Sequence, residues 1–462
     1  MNPSGQDNVL GTANVKILLR QLAIPAITAQ VVNVLYNVVD RMYIGHIPDI
    51  GALALTGVGV CMPIIMLITA FAALVSMGSA PRASVLMGRG DNEEAHYTLG
   101  NSFIMLIIIA LVLMVFFRRF AEPILMAFGA SENTIGYAMD YMRIYTLGTI
   151  FVQFALGLNA FITAQGFAKI SMATVVIGAV INIVLDPIFI FGFHMGVKGA
   201  ALATILSQAV SAIWVLRFLT GKKTILKLQK KYFRLRGSVV GPCLLLGMSP
   251  FIMQATESAI SVCFNSSLYR YGGDIAVGAM SILTSIMQFS MLPLQGFTQG
   301  AQPITGYNFG AGNADRVRQT FRLLLRYCLT YSMILWAICM VVPRLIPSMF
   351  TGDEQLLTYT AWALRHYMAL SGIFGIQIAC QQTFIAIGNA KTSLFLAVYR
   401  KIILLIPLIY ILPAILEQKD RAVFLAEPVA DLIAVATTAI MFAYQFKNAM
   451  KKLEAGKKPA EA

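Results

Sequence analysis

Apolar segments long enough to cross a lipid bilayer recur from one end of the chain to the other. A spanning helix needs about 20 residues, and the chain contains roughly twelve such segments. Their approximate limits are 17–45, 52–87, 96–118, 132–165, 169–193, 198–220, 238–270, 274–308, 315–343, 355–387, 391–415 and 422–446. A bilayer offers the backbone no hydrogen-bond partners, so segments of this length must be helical. The sequence therefore predicts an all-α polytopic membrane protein without a separate soluble domain.

The formal charge of +14 is concentrated beside these segments. Residues 221–237 hold many Lys and Arg residues and no acid, and Lys447, Lys451, Lys452, Lys457 and Lys458 follow the last segment. Basic residues next to spans gather on the cytoplasmic side and meet anionic lipid headgroups. We therefore expect a prokaryotic plasma-membrane protein with both termini in the cytoplasm, in contact with the lipid bilayer and not with nucleic acid.

Short sequences in the first half of the chain return in the second half. Gly78–Pro81 corresponds to Gly300–Pro303, and Gly166–Lys169 corresponds to Gly388–Lys391, each at a spacing of 222 residues. A third pair, residues 87–90 and 309–312, has the same spacing. This predicts two parallel six-helix repeats with a cavity between them. The predicted parts are an N-lobe (1–220, helices 1–6), a basic cytoplasmic linker (221–237), a C-lobe (238–446, helices 7–12) and a basic cytoplasmic tail (447–462).

The chain lacks the sequence patterns of catalysis and of resident metals. Its six cysteines lie in apolar segments without metal-ligand spacing, and the four histidines are scattered. No phosphate-binding loop, nucleophile elbow or HExxH pattern is present. We therefore expect neither an enzyme nor a cofactor.

Asp186 is the only fully charged residue between residues 170 and 197. An ionisable group at this depth costs at least ~2.5–3.5 kcal/mol on insertion scales and usually marks an ion or substrate path. Asn182 lies one helical turn earlier and shares its face of the helix. Pro187 follows directly and removes a backbone donor. These features predict that the segment binds an ion or a substrate.

Further oxygen donors are found in neighbouring spans. Asp40 and Tyr36 share a face of the first span, Asn159 lies in the fourth and Thr204 in the sixth. Two carboxylates, amide oxygens and a hydroxyl suit a small hard cation, and two adjacent carboxylates can share a proton. Two other interpretations stay open: Asp40 can pair with Arg41 near a span end, and the set can be a polar network that only holds helices together. The predicted Na⁺ or H⁺ site comprises Asp40, Asn182, Asp186, Thr204, Asn159 and Tyr36.

The second half offers weaker candidates for substrate binding. Glu257 is the only acid between residues 251 and 270, and an ion pair with Arg400 or Lys401 is an equal alternative. The eighth span combines thioether and amide side chains, which suit promiscuous pockets. The predicted substrate-binding residues are Glu257, Met287, Gln288, Met291 and Gln295.

The stretch from Asn182 to Gly192, continued by residues 197–204, resembles the multidrug and toxic compound extrusion (MATE) transporters. The similarity covers nearly the whole chain, includes residues 166–169 and 302–310, and is closest to the branch with DinF-like and MepA-like proteins. The resemblance implies the MATE fold, in which two pseudo-symmetric six-helix lobes form a V. It also implies export of amphipathic, mainly cationic organic compounds in exchange for H⁺ or Na⁺ by alternating access.

The resemblance also assigns roles to individual residues. It implies an N-lobe cation site at Asp40, Asn182, Asp186 and Thr204, with a fourth-span Asn at Asn159. Another branch of the family uses a C-lobe Glu, which Glu257 resembles, together with a tenth-span Asp. The tenth span here has glutamines (Gln377, Gln381 and Gln382) and no acid, which favours the N-lobe as the coupling site.

Two other functions compete with drug export. One is a flippase for a lipid-linked precursor, which would need a basic cavity. This alternative stays open because the chain has basic residues that could line such a cavity: Arg143, Arg326, Arg365, Arg400 and Lys401. A membrane enzyme or receptor is disfavoured, since no nucleophile and base pattern is visible and a receptor does not explain the duplication.

We expect the protein to be a monomer.

Overall fold

The computed structural model describes residues 7–456, and in that range it is helical without any strand. A short helix, Asp7–Thr12, precedes the spans, and single 3₁₀ turns lie at Lys230–Tyr232 and Pro347–Met349. Spans 1 to 6 are, in order, Val15–Gly45; Gly51–Arg89; Asn92–Ala127; Ile135–Leu147 with Thr149–Gly157 and Asn159–Ala164; Ala168–Pro187 with the π-helical turn Ile188–Gly192; and Val197–Leu219. Spans 7 and 8 together form Gly237–Gly310. Spans 9 to 12 are Ala314–Val341; Glu354–Tyr367 with Ser371–Ala386; Ala390–Val398 with the π-helical turn Tyr399–Leu405 and Ile406–Ile415; and Lys419–Glu454.

The stretch Gly237–Gly310 is two spans and not one. A straight helix of its 74 residues would be about 110 Å long, against a hydrocarbon core of about 30 Å. Gly273 interrupts it with φ 66° and ψ −161°, a conformation that favours glycine. The two ends of the stretch pack on the same helix, span 2, so the chain must fold back at Gly273.

The count of twelve spans agrees with the prediction. In residues 7–456, nine helices are long and apolar enough to cross a membrane, and two bent pairs raise the number to eleven. Dividing the long stretch at Gly273 gives twelve. The bends are 59° in span 4, at Gly148, and 50° in span 10, between Tyr367 and Ser371. Large apolar side chains such as Val115, Ile213 and Val262 are exposed, as expected of an integral membrane protein.

The last helix is longer than predicted. It continues to Glu454, past the predicted limit at residue 446, and includes Lys447, Lys451 and Lys452. A helix need not stop at the membrane surface when its next residues are good helix formers. Lys457 and Lys458 lie outside the described residues, and the division of the chain into lobes, linker and tail stays a prediction.

The two lobes have separate apolar cores at one end of the molecule. This is the far end, opposite the basic linker 221–237. The N-lobe core there contains Ile44 and Phe117, and the C-lobe core contains Phe264 and Phe424. In the described residues, neither core includes a side chain from the other lobe.

At the basic end, beside residues 221–237, the lobes share their cores. Leu22 of span 1 packs in one cluster with Ile304 of span 8, and Val85 of span 2 packs in another with Phe309. The lobes are therefore joined at the basic end and separate at the far end, which leaves a cleft between them.

Glycines allow the helix backbones to touch at this junction. A Cβ on Gly78 would lie 1.9 Å from the carbonyl oxygen of Cys243, and a Cβ on Gly247 would lie 1.7 Å from that of Leu74. Small residues permit such close packing of helices in membranes. Towards the cleft, Gln254 Nε2 donates to Thr69 Oγ1 across the lobe boundary at 3.3 Å.

The basic linker is fastened to the N-lobe by two buried amide side chains. Gln165 Oε1 accepts hydrogen bonds from the backbone N–H groups of Ile225 and Leu226 at 2.8 and 2.9 Å. Asn101 Oδ1 accepts from the N–H of Arg236 at 2.7 Å. The linker is therefore attached to the N-lobe, and span 7 of the C-lobe begins directly after it at Gly237.

The glycine contacts can be tested with two substitutions in the same helix. We expect Gly78→Ala to lower the melting temperature of the purified protein by several degrees, since overpacking costs typically ~1–3 kcal/mol. Gly59→Ala is the matched control, because a Cβ there meets no atom within 4 Å. Equal melting temperatures for the two variants, measured in the same detergent, would contradict this account of the junction.

Candidate functional site

Two buried carboxyl groups meet in the N-lobe. Asp40, late in span 1, and Asp186, at the end of span 5, are only 7% and 0% exposed. Their carboxyls lie within hydrogen-bonding range of each other. Two carboxylates have no hydrogen to share, so this contact requires a proton on one of them or a cation between them.

Span 5 brings Asn182 to the same place through a buried stripe. Thr174, Gly178, Asn182 and Asp186 recur at every fourth position, which puts them on one face of the helix. Asn182 Nδ2 donates to Asp186 Oδ1 at 3.3 Å. Pro187 cannot donate a backbone hydrogen bond, and the chain continues directly into the π-helical turn Ile188–Gly192.

The donor set fits a small cation or a proton. Asp40 Oδ1, Asn182 Oδ1 and Asp186 Oδ2 are buried and receive no hydrogen bond from the residues described. Leaving a buried oxygen without a partner costs about 1–3 kcal/mol, and a cation or proton removes that cost. Among residues 7–456, no group of three or more His, Cys, Asp or Glu side chains could hold a metal ion. Two carboxylates with neutral oxygens beside them can hold a small cation or share a proton.

Three tyrosines and a threonine surround the acid pair. Tyr36 is half-buried and close to both carboxyls. Thr204 donates to the carbonyl of Ala200 at 3.0 Å, and the hydroxyl of Tyr141 lies close to its side chain. Tyr145 stacks on Tyr141 with ring centres 5.9 Å apart.

Sequence reasoning missed Tyr141 and Tyr145. Their spacing of four residues, on a span next to those with the polar donors, was a usable signal. It was weak, because a tyrosine pair at helical spacing is more often part of an ordinary core.

The structure separates Asn159 from the acid pair. Asn159 Nδ2 donates to the carbonyl of Ser171 at 3.2 Å, and its Oδ1 accepts from Thr174 Oγ1 at 3.0 Å. Thr174 lies eight residues before Asn182, which is about 12 Å along a helix. Both ends of the Asn159 amide are therefore engaged between spans 4 and 5.

In the C-lobe, Glu257 is paired with an internal base. Lys401 Nζ lies 2.7 Å from Glu257 Oε1, which is the ion-pair alternative considered for Glu257. Next to it, Arg400 pairs with Glu427 and with Asp431 at 2.7 Å each. Sequence reasoning did not predict this arrangement of span 11 with span 12, because side chains far apart in the sequence meet there.

The predicted substrate-binding residues of span 8 differ in their surroundings. Met287 and Met291 line a narrow cavity inside the C-lobe, together with Phe374 and Asp431. Gln288 and Gln295 are exposed on another side of the helix. A role of these four residues in substrate binding therefore stays a prediction.

Comparison with known proteins identifies the family. The MatE family model matches residues 25–188 and 250–411, one segment in each predicted repeat and well over half of the chain. The chain belongs to the MATE family. The predicted family and fold class are thereby confirmed.

Individual relatives cover almost all of the chain. It is 26% identical over 426 residues to the multidrug export protein MepA of Staphylococcus haemolyticus, covering 90% of this chain and 92% of that protein. Among solved structures, it is similar to a MATE protein in a bent conformation, with a TM-score of 0.91, 22% identity and coverage of 98% and 99%. An outward-facing multidrug resistance MATE transporter gives a TM-score of 0.90, with 22% identity and coverage of 97% and 99%.

A double-mutant cycle tests the contact between span 4 and span 6. We expect Tyr141→Phe and Thr204→Val each to lower the free energy of unfolding. The double variant should lower it by less than the sum of the two single effects. Hydrogen bonds between membrane helices couple by about 0.6 kcal/mol on average. The measurement is the free energy of unfolding in mixed micelles, with Tyr137→Phe, one turn earlier, as control. Strictly additive effects would show that the two hydroxyls do not interact.

Proposed function

We propose that this chain is a secondary active multidrug antiporter, which exports amphipathic, mainly cationic organic compounds in exchange for H⁺ or Na⁺. The observation that carries the proposal is the buried contact between Asp40 and Asp186, on two different helices of one lobe. The relative from Staphylococcus haemolyticus, named as a multidrug export protein, supports the substrate class.

Span 1 connects the acid pair to the junction between the lobes. The C-terminal half of span 1 carries Asp40 to span 5. Its N-terminal half, at the basic end of the molecule, packs on span 8 of the C-lobe. There, a Cβ on Gly296 or Gly300 of span 8 would meet the backbone of Ile27 or Ala23 within 3 Å. A change of charge at Asp40 therefore acts on a helix that is in tight contact with both lobes.

The transport cycle follows from this connection. With one proton or Na⁺ shared between them, Asp40 and Asp186 can touch, as they do here, while the cleft is open at the far end. Loss of the cation leaves two like charges a few Å apart, which repel by about 4 kcal/mol at 4 Å and an effective dielectric constant of 20. Span 1 then leaves span 5, and the cleft opens at the basic end to load substrate.

The direction of export rests on the distribution of charge. Basic residues at the linker and after span 12 favour a cytoplasmic location for this end, in a prokaryotic plasma membrane. The far end then faces outward, so binding of the coupling ion accompanies outward release of substrate. We expect a monomer that needs no cofactor, with the coupling ion as a transported substrate.

The buried ion pairs weigh against the flippase alternative. A lipid pyrophosphate requires free basic side chains in the cleft. Arg400 and Lys401 are each paired with carboxylates, and Arg365 Nε donates to the carbonyl of Met340. These three basic residues are thus occupied by contacts within the protein.

Neutral variants of the acid pair test the proposal. We expect Asp40→Asn and Asp186→Asn each to reduce ethidium efflux from proteoliposomes by at least about tenfold under an imposed pH or Na⁺ gradient, since neither can release a cation from the pair. Asp140→Asn is the control, because Asp140 forms a partly exposed pair with Lys198 and should leave efflux unchanged.

The two gradients are imposed separately on the same liposomes. Efflux that responds to one of them identifies the coupling ion. Efflux by the wild type that is indifferent to both, or normal efflux by both neutral variants, would remove the antiporter proposal.

A further inference from the structure

The charged cluster of the C-lobe lies on the helices that correspond to those of the N-lobe site. The acid pair and its partners belong to spans 1, 5 and 6, and the repeat relates these to spans 7, 11 and 12. Glu257 lies on span 7, Arg400 and Lys401 on span 11, and Glu427 and Asp431 on span 12. With the repeat spacing of 222 residues, position 204 corresponds to position 426, next to Glu427. The two lobes therefore use the same three helices to bury charge.

The lobes differ in what neutralises their carboxylates. In the N-lobe, the residues around Asp40 and Asp186 supply amide and hydroxyl groups. In the C-lobe, the chain itself supplies two cations. Arg400 is held from three sides, because it pairs with Glu427 and Asp431 and its guanidinium lies 4.7 Å from the ring centre of Phe374.

Lys401 differs from Arg400 in the exposure of its partner. The side chain of Lys401 is 8% exposed, whereas that of Glu257 is 54% exposed. Glu257 lies one turn beyond Gln254, which touches Thr69 of the other lobe. A group in the cleft can therefore reach Glu257 from outside, while Lys401 reaches it from within the lobe.

The cluster as a whole carries an excess of negative charge. Three carboxylates face two basic side chains, and the most accessible carboxylate is Glu257. A cationic compound entering the cleft would meet this carboxylate first, but would have to compete with the ammonium group of Lys401.

We propose that Lys401 is a tethered cation that occupies the cation position of the C-lobe and thereby sets how strongly the lobe binds a cationic substrate. Only the N-lobe then exchanges a cation in each cycle. The proposal rests on the proposed function for the class of substrate, but it concerns an equilibrium affinity and needs no ion gradient.

Replacing Lys401 with a neutral residue should expose a latent cation site. In Lys401→Met, three carboxylates would face Arg400 alone, and Glu257 would lose its partner while staying in contact with the cleft. Lys401→Arg keeps the positive charge and should keep the site filled. Glu257→Gln in the Lys401→Met background removes the carboxylate that the proposal requires.

The experiment measures binding of tetraphenylphosphonium to the purified full-length protein by equilibrium dialysis at constant pH and salt concentration. We expect Lys401→Met to bind at least about tenfold more tightly than the wild type, or about 1.4 kcal/mol. Lys401→Arg should stay within about twofold, and Lys401→Met/Glu257→Gln should return to the wild-type affinity. The proposal is overturned by equal affinities of Lys401→Met and the wild type, or by a gain that persists without Glu257.

Two further variants keep the result interpretable. If Lys401→Met does not yield folded protein, Lys401→Gln makes the same change of charge and retains a hydrogen-bond donor for Glu257. The comparison is repeated in Asp186→Asn protein, which lacks the N-lobe pair of carboxylates. A gain in tetraphenylphosphonium affinity both with and without Asp186 supports the role of Lys401, even if Asp186 does not couple transport. A gain in affinity that occurs only when Asp186 is present contradicts the role of Lys401.

Discussion

The contact between Asp40 and Asp186 is the interaction on which the arrangement of the N-lobe depends. Two carboxylates can be buried side by side only when a positive charge accompanies them. The stripe on span 5, the turn after Pro187 and the tyrosines of span 4 all enclose this one place. Since span 1 carries Asp40 at one end and packs on span 8 at the other, the charge of the pair is linked to the relation between the lobes.

The lobes share a fold and differ in their electrostatics. Glycines close the basic end by direct backbone contact, whereas the far ends keep separate cores. The lobes are therefore in contact at the basic end and apart at the far end. The C-lobe pairs its buried carboxylates with Arg400 and Lys401, whereas Asp40 and Asp186 of the N-lobe have no such basic partner on another helix in the described residues.

Much of the fold could be predicted from the sequence, because a membrane constrains the length and polarity of the helices that cross it and because the two halves of the chain repeat. The twelve spans, the all-α class and the pairing of Asn182 with Asp186 follow from helical periodicity and from the cost of burying charge. Long-range partners could not be derived in this way. Periodicity gives the face of a helix but not the helix opposite, so the Arg400 cluster and Tyr141 were missed, and Asn159 was grouped with donors that it does not contact.

The central claim is that the charge of the Asp40 and Asp186 pair controls the opening of the cleft. It is tested most directly by electron–electron distance measurements between spin labels at the far ends of the lobes, at Glu132→Cys and Gln355→Cys, in lipid nanodiscs and with the native cysteines replaced. Both positions are exposed. In the wild type, low pH or added Na⁺ should favour the long distance, and alkaline, Na⁺-free conditions should favour the short one. In Asp186→Asn protein the distance distribution should not respond to either condition. The same response in Asp186→Asn as in the wild type would contradict the account.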